Sequence, residues 1–223
     1  MKKHSIFTIL PFSILHLRGY GFSLWGRLVF AWEFTRQYYG IQQATKLWVQ
    51  KIMSLLFYLK KTVDVSGAMA ELGVYKGGTA KLMADVVPDK PLYLFDTFGG
   101  MPQVKAIDIH KAGDFADTSV EEVSGLLGTR TNAIFRKGFF PETAKGLEDE
   151  RFSFVHIDGD LYQSTLDSLV FFYPRMPKGG VMILDDYEWP DCPGVKQAMD
   201  EFLADKPERP FVQTKYQAIL IKQ

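Results

Sequence analysis

The sequence predicts an α/β fold: a mostly parallel sheet of seven strands with helices on both faces and a helical extension at the N-terminus. Three observations predict it. After Thr62, short apolar runs ending in Gly or Asp alternate with helical stretches, the pattern of a sheet covered on both sides. Before Thr62 the chain is rich in aromatics and helix formers at spacings of three and four. At the C-terminus two apolar runs follow one another with no helix between them, so one terminal strand is expected to run antiparallel.

The extension, residues 1–61, reads as amphipathic helix. Trp25, Leu28, Val29 and Trp32 form one apolar series and Trp48, Ile52, Leu55, Leu56 and Leu59 another, with Gly40 marking a break between them. A lid or dimer surface is its expected role, and an interfacial membrane helix is the alternative. The apolar stretch from Ile6 to Leu17 follows Lys2, Lys3 and His4 and is broken by Pro11. It is too short to span a bilayer, which takes about 20 residues. No small-residue cleavage site follows it, which argues against a secretory signal.

Residues 62–223 form the second unit. Expected strands are Gly67 to Leu72, Leu92 to Phe95, Ala133 to Arg136, Phe152 to Ile157, Val181 to Leu184, Phe211 to Lys215 and Ala218 to Ile221. Expected helices are Gly78 to Val87, Ser119 to Leu127, Ser164 to Tyr173 and Val195 to Ala204. A long loop from Thr97 to Thr118 separates the second strand from the helix at Ser119.

Composition removes several function classes. The 223 residues are 47% hydrophobic and 23% charged, the balance of a folded globular chain. Lys plus Arg and Asp plus Glu are 26 each, so the basic surplus of a nucleic-acid binder is absent. The one cysteine, Cys192, excludes an internal disulfide and fits a reducing, cytoplasmic setting. Cys192 itself reads as a small residue at a helix start.

Chemistry concentrates where strands end. The stretch ELGVYKGGTA, residues 71–80, puts glycines at the first strand-to-helix turn, where a ligand can approach the backbone beside a helix N-terminus. Its spacing is neither the dinucleotide fingerprint nor a phosphate loop, which disfavours a nicotinamide-dependent dehydrogenase. Asp96 ends the second strand, where a carboxylate can accept bonds from both ribose hydroxyls. The pair suits a nucleoside without a pyrophosphate. S-adenosylmethionine is such a ligand, and Glu71 is placed to hold its amino group.

A stronger signal is acidic. Asp158 and Asp160 follow the fourth strand, and Asp185 and Asp186 end the fifth. Adjacent parallel strands open on one sheet edge, and four carboxylates converging there need protons or a cation. All-oxygen ligands favour Mg²⁺, with Mn²⁺ or Ca²⁺ as alternatives. If the extended geometry persists, Asp158 and Asp160 project to one side. His156 reads as a supporting core residue, and no Zn²⁺ spacing or nucleophilic triad is present.

Taken together, ELGVYKGGTA, FDTFGGMP, KGFFPET, HIDGDLYQST, PKGGVMILDDY and VKQAMDEF resemble, in the same order, the macrocin and mycinamicin O-methyltransferases and their aminocoumarin relatives. The resemblance runs from about Met69 to Lys222. It implies a Rossmann-like class I methyltransferase sheet, S-adenosylmethionine as methyl donor, and a Mg²⁺ site. By position it implies Asp158, Asp185 and Asp186 as metal ligands and Asp160, with Asp158, as the catalytic pair, Asp160 being the general base. It implies Glu71, Gly73 and Asp96 as cofactor contacts, and Tyr75, Gly77, Thr79 and Thr97 in the same two turns complete the candidate cofactor set. The implied acceptor is a hydroxylated small molecule, above all a sugar, in an antibiotic or in a surface polysaccharide. Residues 1–60 and the loop 103–115 depart from the family pattern. An aromatic diol acceptor and a non-catalytic relative remain open, as does a homo-oligomer.

Overall fold

The computed structural model describes residues 23–102 and 104–223, together with residues 9 and 20. Apart from Ile9, the stretch from Ile6 to Leu17 lies outside the described residues, as do His4, His16 and Gln103. Among the described residues, no helix is long and apolar enough to cross a membrane.

Two helices open the fold, α1 (Leu24–Ile41) and α2 (Val49–Lys61). Ser23 caps α1, its Oγ accepting from the Gly26 amide at 3.1 Å. Gly40 does not break the helix as its composition suggested. The Gln42 amide still reaches the Tyr38 carbonyl, and the break falls in the connection that follows. Then come β1 (Ala68–Leu72), α3 (Gly78–Val86), β2 (Leu92–Asp96), α4 (Val120–Leu127), β3 (Ala133–Lys137), β4 (Phe152–Ile157) and α5 (Tyr162–Phe172). The chain closes with β5 (Val181–Asp185), α6 (Pro193–Leu203), β6 (Phe211–Thr214) and β7 (Gln217–Ile221).

The sheet order is β3-β2-β1-β4-β5-β7-β6, and every pairing that does not involve β7 is parallel. β7 pairs antiparallel with both β5 and β6, so the reversed strand is not at the edge but inserted next to it. The chain builds outward from β1 through β2 to β3, then returns to lay β4 on the other side of β1. That switch point leaves a crevice between the carboxyl ends of β1 and β4, where open α/β sheets take ligands.

Burial follows the period-two alternation of strands. Met69, Leu94, Phe154, Ile183 and Ile219 pack on one face, and their neighbours Ala70, Phe95, Val155, Leu184 and Leu220 pack on the other. Helices α5 and α6 cover the second face through Leu169, Phe172, Met199 and Leu203. The first face is covered by α3 and α4 and also by α1 and α2, whose Phe34, Ile52, Leu55, Leu56 and Leu59 are fully buried. Residues 24–61 are therefore part of the core layer. Each such side chain stabilises the fold by about 1.5–3 kcal/mol, so a chain starting near Lys61 would lose most of a typical 5–15 kcal/mol. On the outer face of α1, Trp25, Val29 and Trp32 stay more than 60% exposed.

The C-terminus is tied down by Glu208, which is buried. Its carboxylate accepts from Lys222 Nζ at 2.8 Å, from the Gln223 amide at 3.2 Å, and from the Tyr173 hydroxyl. Burial alone would push this carboxyl up, but Lys222, Tyr173 and the Gln223 amide outweigh it and hold it at about 2, against an ordinary value of 4.5. A depressed acid stabilises the fold above its unfolded pKa and loses that contribution as pH falls toward its folded one. Glu208→Gln should therefore lower stability at pH 7 by on the order of 1–3 kcal/mol. The difference from wild type in melting temperature should shrink as pH drops from 4.5 toward about 2.

Candidate active site

The β1 end of the crevice is built around one glycine. Gly73 has φ +86, and a Cβ there would lie 2.0 Å from the Asp158 carbonyl oxygen. Only glycine lets β1 and β4 remain this close while the chain turns away. Four residues on, Gly77 caps α3 in the left-handed region, where a Cβ would meet Val123 Cγ1 at 2.6 Å. Between them the turn is clamped by Asp96. Its Oδ2 accepts from the amides of Val74 (2.8 Å) and Tyr75 (2.9 Å), and its Oδ1 from Phe98 (2.7 Å). Asp96, expected from the sequence to accept from both ribose hydroxyls, thus already accepts from three backbone amides. Thr97 ties its own loop, its hydroxyl donating to the Gly100 carbonyl at 2.6 Å.

The β4–β5 end is organised by a buried ion chain. His156 Nδ1 lies 2.9 Å from Glu71 Oε1 and its Nε2 2.6 Å from Asp185 Oδ2, and all three side chains have no solvent exposure. Burial favours neutral imidazole, yet the bonds to Asp185 and Glu71 outweigh it and raise His156 to about 10. A protonated His156 donates to both carboxylates. Asp185 Oδ1 is held by Gln217 Nε2 at 3.0 Å and by Lys51 Nζ at 3.2 Å. Lys51 reaches on to Asp186 Oδ1 at 2.8 Å. Burial works against its charge, and Asp185, Asp186 and Asp158 more than restore it, holding Lys51 above its ordinary value.

Asp158 extends the sheet, its amide donating to the Leu72 carbonyl at 2.8 Å. Asp160 has φ +57, so the extended geometry expected between the two does not persist, and a left-handed turn brings Asp160 to the cluster instead. Burial, and then the charges of Asp185 and Asp186, push Asp158 well above the usual carboxylate range. Burial, Asp158 and Asp186 do the same for Asp160. Ligand-bearing atoms of His156, Asp158 and Asp185 lie within 4.8 Å of one another, as do those of Asp160, Asp186 and Cys192. Asp160 does not cap the following helix. Leu161 is the N-cap of α5, and Asp108 Oδ1 accepts the Tyr162 amide at 2.9 Å.

A single cavity of about 840 Å³ joins the two ends. Gly73, Tyr75, Thr79, Asp96, Thr97, Asp158, Asp160 and Asp186 line it. Glu71, Gly77 and Asp185 do not: the first and third are sealed beneath its floor, and Gly77 faces α4. Sequence reasoning missed Lys51, Gln217 and Asp108. Lys51 had a readable signal, a lone lysine on the apolar face that Trp48, Ile52 and Leu55 define. Gln217 and Asp108 had none, because their partners lie 32 and 54 residues away.

Comparison with known proteins finds similarity to O-methyltransferases in sequence and in fold. The family model described as macrocin O-methyltransferase (TylF) matches residues 59–219. The demethyldecarbamoylnovobiocin O-methyltransferase of Streptomyces niveus is 32% identical over 160 residues, 63% of this chain and 60% of that protein. The mycinamicin III 3″-O-methyltransferase of Micromonospora griseorubida is 31% identical over 159 residues, 62% of this chain and 61% of its own length. The match thus spans about three fifths of these relatives. The solved O-methyltransferase NovP superposes with a TM-score of 0.72 at 26% identity, over 81% of this chain and 82% of that one. A TDP-rhamnose 3′-O-methyltransferase of calicheamicin biosynthesis shares the fold, with a TM-score of 0.58 at 20% identity over 84% and 86% of the two chains.

The Asp96 clamp has a direct consequence. Asp96→Ala leaves the amides of Val74, Tyr75 and Phe98 without their acceptor, at a cost of about 2–4 kcal/mol. The expected result is a lower melting temperature together with faster hydrogen exchange at those three amides, before any ligand is added.

Proposed function

The chain belongs to the macrocin O-methyltransferase family, and from that premise we propose that it transfers a methyl group from S-adenosylmethionine to a sugar hydroxyl, assisted by a divalent cation. The observation that carries this reading is the one cavity running from the Gly73–Asp96 turn to the carboxylates of Asp158, Asp160 and Asp186.

The residues present fit both groups. For the cofactor there is a cradle at Gly73 that a Cβ would fill, and a buried carboxylate oxygen, Glu71 Oε2, with no hydrogen-bond partner. Asp96 spends three of roughly four acceptor sites on the turn and keeps one for a ribose hydroxyl. Tyr75, Thr79 and Thr97 line the same end. S-adenosylmethionine would supply an electrophilic methyl carbon. For the cation, five carboxyl groups, Glu71, Asp158, Asp160, Asp185 and Asp186, surround two cationic side chains, His156 and Lys51. The neutral thiol of Cys192, pushed up by burial, is a poor ligand for a hard ion, and His156 is committed on both nitrogens. Oxygen ligands from Asp158 and Asp186 face the cavity, and Asp185 Oδ1 would join them in place of its contact with Lys51, a set suited to Mg²⁺, Mn²⁺ or Ca²⁺. Such an ion, when bound, would make an acceptor hydroxyl more acidic.

Asp160 then takes the acceptor proton. It lines the cavity, and burial with the charges of Asp158 and Asp186 makes it more basic than an ordinary carboxylate. His156 holds Asp185 in place, and Lys51 shares the oxygens the cation would use. Residues 24–61 contribute to the cavity wall at both ends, Thr45 and Lys46 beside Gly78 and Tyr75 and Trp48 beside Trp189.

Calorimetric titration with S-adenosylmethionine, with and without Mg²⁺, tests the reading; failure of the wild type to bind the cofactor would sink it. Asp160→Asn should keep cofactor affinity while turnover falls about 10²–10⁴-fold. Asp158→Asn should lose metal affinity and turnover together, and full turnover in chelator-treated protein would refute the metal role. Lys51→Met should melt lower than wild type in chelator. It should also gain more in melting temperature on Mg²⁺ addition, because its ammonium no longer competes for Asp185 and Asp186.

A further inference from the structure

Three aromatic side chains from distant parts of the chain meet beside the carboxylate cluster. Trp48 precedes α2, Trp189 follows β5, and Tyr216 sits at the turn between β6 and β7. The ring centroids of Trp48 and Trp189 are 5.6 Å apart, those of Trp189 and Tyr216 4.6 Å, and those of Trp48 and Tyr216 6.0 Å, all edge to face. Every one of the three lines the cavity. They are not a sealed packing cluster: Trp48 is 46% exposed, and Trp189 and Tyr216 are only half-buried.

Each ring is tied by its own chain to a group that holds the cluster. Trp48 lies one helical turn before Lys51, which reaches Asp185 and Asp186. The Trp189 amide donates to the Asp186 carbonyl at 3.0 Å. Tyr216 adjoins Gln217, whose amide group holds Asp185. Lys215 Nζ, 4.6 Å over the Tyr216 ring, covers that ring further. The wall therefore stands at a fixed offset from the carboxylates, anchored through three separate segments.

A ligand matching this arrangement has one apolar surface and a row of hydroxyls along its edge. A pyranose ring is such a ligand, because its axial C–H bonds form a weakly positive face that suits the electron-rich face of an aromatic ring. Carboxylates beside the wall accept from its hydroxyls. The volume, about 840 Å³, lies in the upper part of the range of roughly 300–1,000 Å³ seen for small-molecule pockets and leaves room beside a cofactor.

We propose that Trp48, Trp189 and Tyr216 form the acceptor platform, an indole face stacking on the apolar face of a pyranose and the rings at an angle to it bordering that sugar, and thereby select which hydroxyl meets Asp160. This rests on the methyltransferase reading above, and the test keeps the two apart. Full-length protein saturated with S-adenosylhomocysteine is titrated with methyl glycosides of rhamnose, glucose, galactose and glucuronic acid, followed by saturation-transfer NMR. At least one glycoside should bind, with saturation strongest on the C–H protons of one ring face. Trp189→Ala and Trp48→Ala should each weaken it about two- to tenfold, as expected for the loss of one stacked ring. Affinity for S-adenosylhomocysteine and the melting temperature should stay near wild type, and Trp189→Phe should recover most of the loss. Trp48 is exposed enough that its truncation leaves the fold intact if Trp189→Ala does not.

Glycoside binding unchanged in both folded alanine variants would overturn the platform. So would a wild type that takes S-adenosylhomocysteine but none of the four glycosides, and in both cases the methyltransferase reading would stand. A wild type that takes no S-adenosylhomocysteine removes that reading and the platform with it.

Discussion

The imidazolium of His156, held between Glu71 on β1 and Asp185 on β5, is the interaction on which the rest of the site depends. It spans the three central strands and has no exposure to water. Removing one partner of such a buried chain leaves an uncompensated charge, typically at a cost of 3–5 kcal/mol. Its arrangement also fixes where negative charge is left over. Glu71 Oε1 and both oxygens of Asp185 are held by His156, Gln217 and Lys51, while Asp158, Asp160 and Asp186 turn their carboxyl groups to the cavity. An acidic cavity surface thus lies over a layer whose charges are largely paired.

The glycine turn obeys the same economy of space. β1 and β4 close to within a Cβ of contact at Gly73, which makes the crevice narrow at its base. Asp96 holds the turn open above that point by collecting three amides. The Gly73 end is therefore shaped largely by backbone, and the carboxylate end by side chains, a division that suits the constant donor and variable acceptor of the proposed function.

The N-terminal helices belong to both layers of the argument. Leu55, Leu56 and Leu59 pack on the sheet, whereas Lys51, on the same helix, carries a charge into the carboxylate cluster. A helix that contributes to the core and the site at once cannot move as a free lid without exposing apolar surface. Trp48 stands at the start of that helix, which ties the proposed acceptor wall to the core on one side.

Much of this was legible in the residues alone. Period-two runs, Gly73 and Gly77 after the first strand, and aspartates at three strand ends are local features, and local sterics decide them. They sufficed for the alternation of elements, for boundaries within a few residues, and for the carboxylates that meet. Tertiary structure decided what distant segments bring together. Lys51 finds Asp186 across 135 residues and Gln217 finds Asp185 across 32, and neither separation leaves a trace in periodicity. The insertion of β7 between β5 and β6, the sealing of Glu71 and Asp185 beneath the floor, and the joining of Trp48 to Trp189 and Tyr216 have the same origin. Each depends on which surfaces pack against each other once the sheet has formed, and packing is a property of the folded chain.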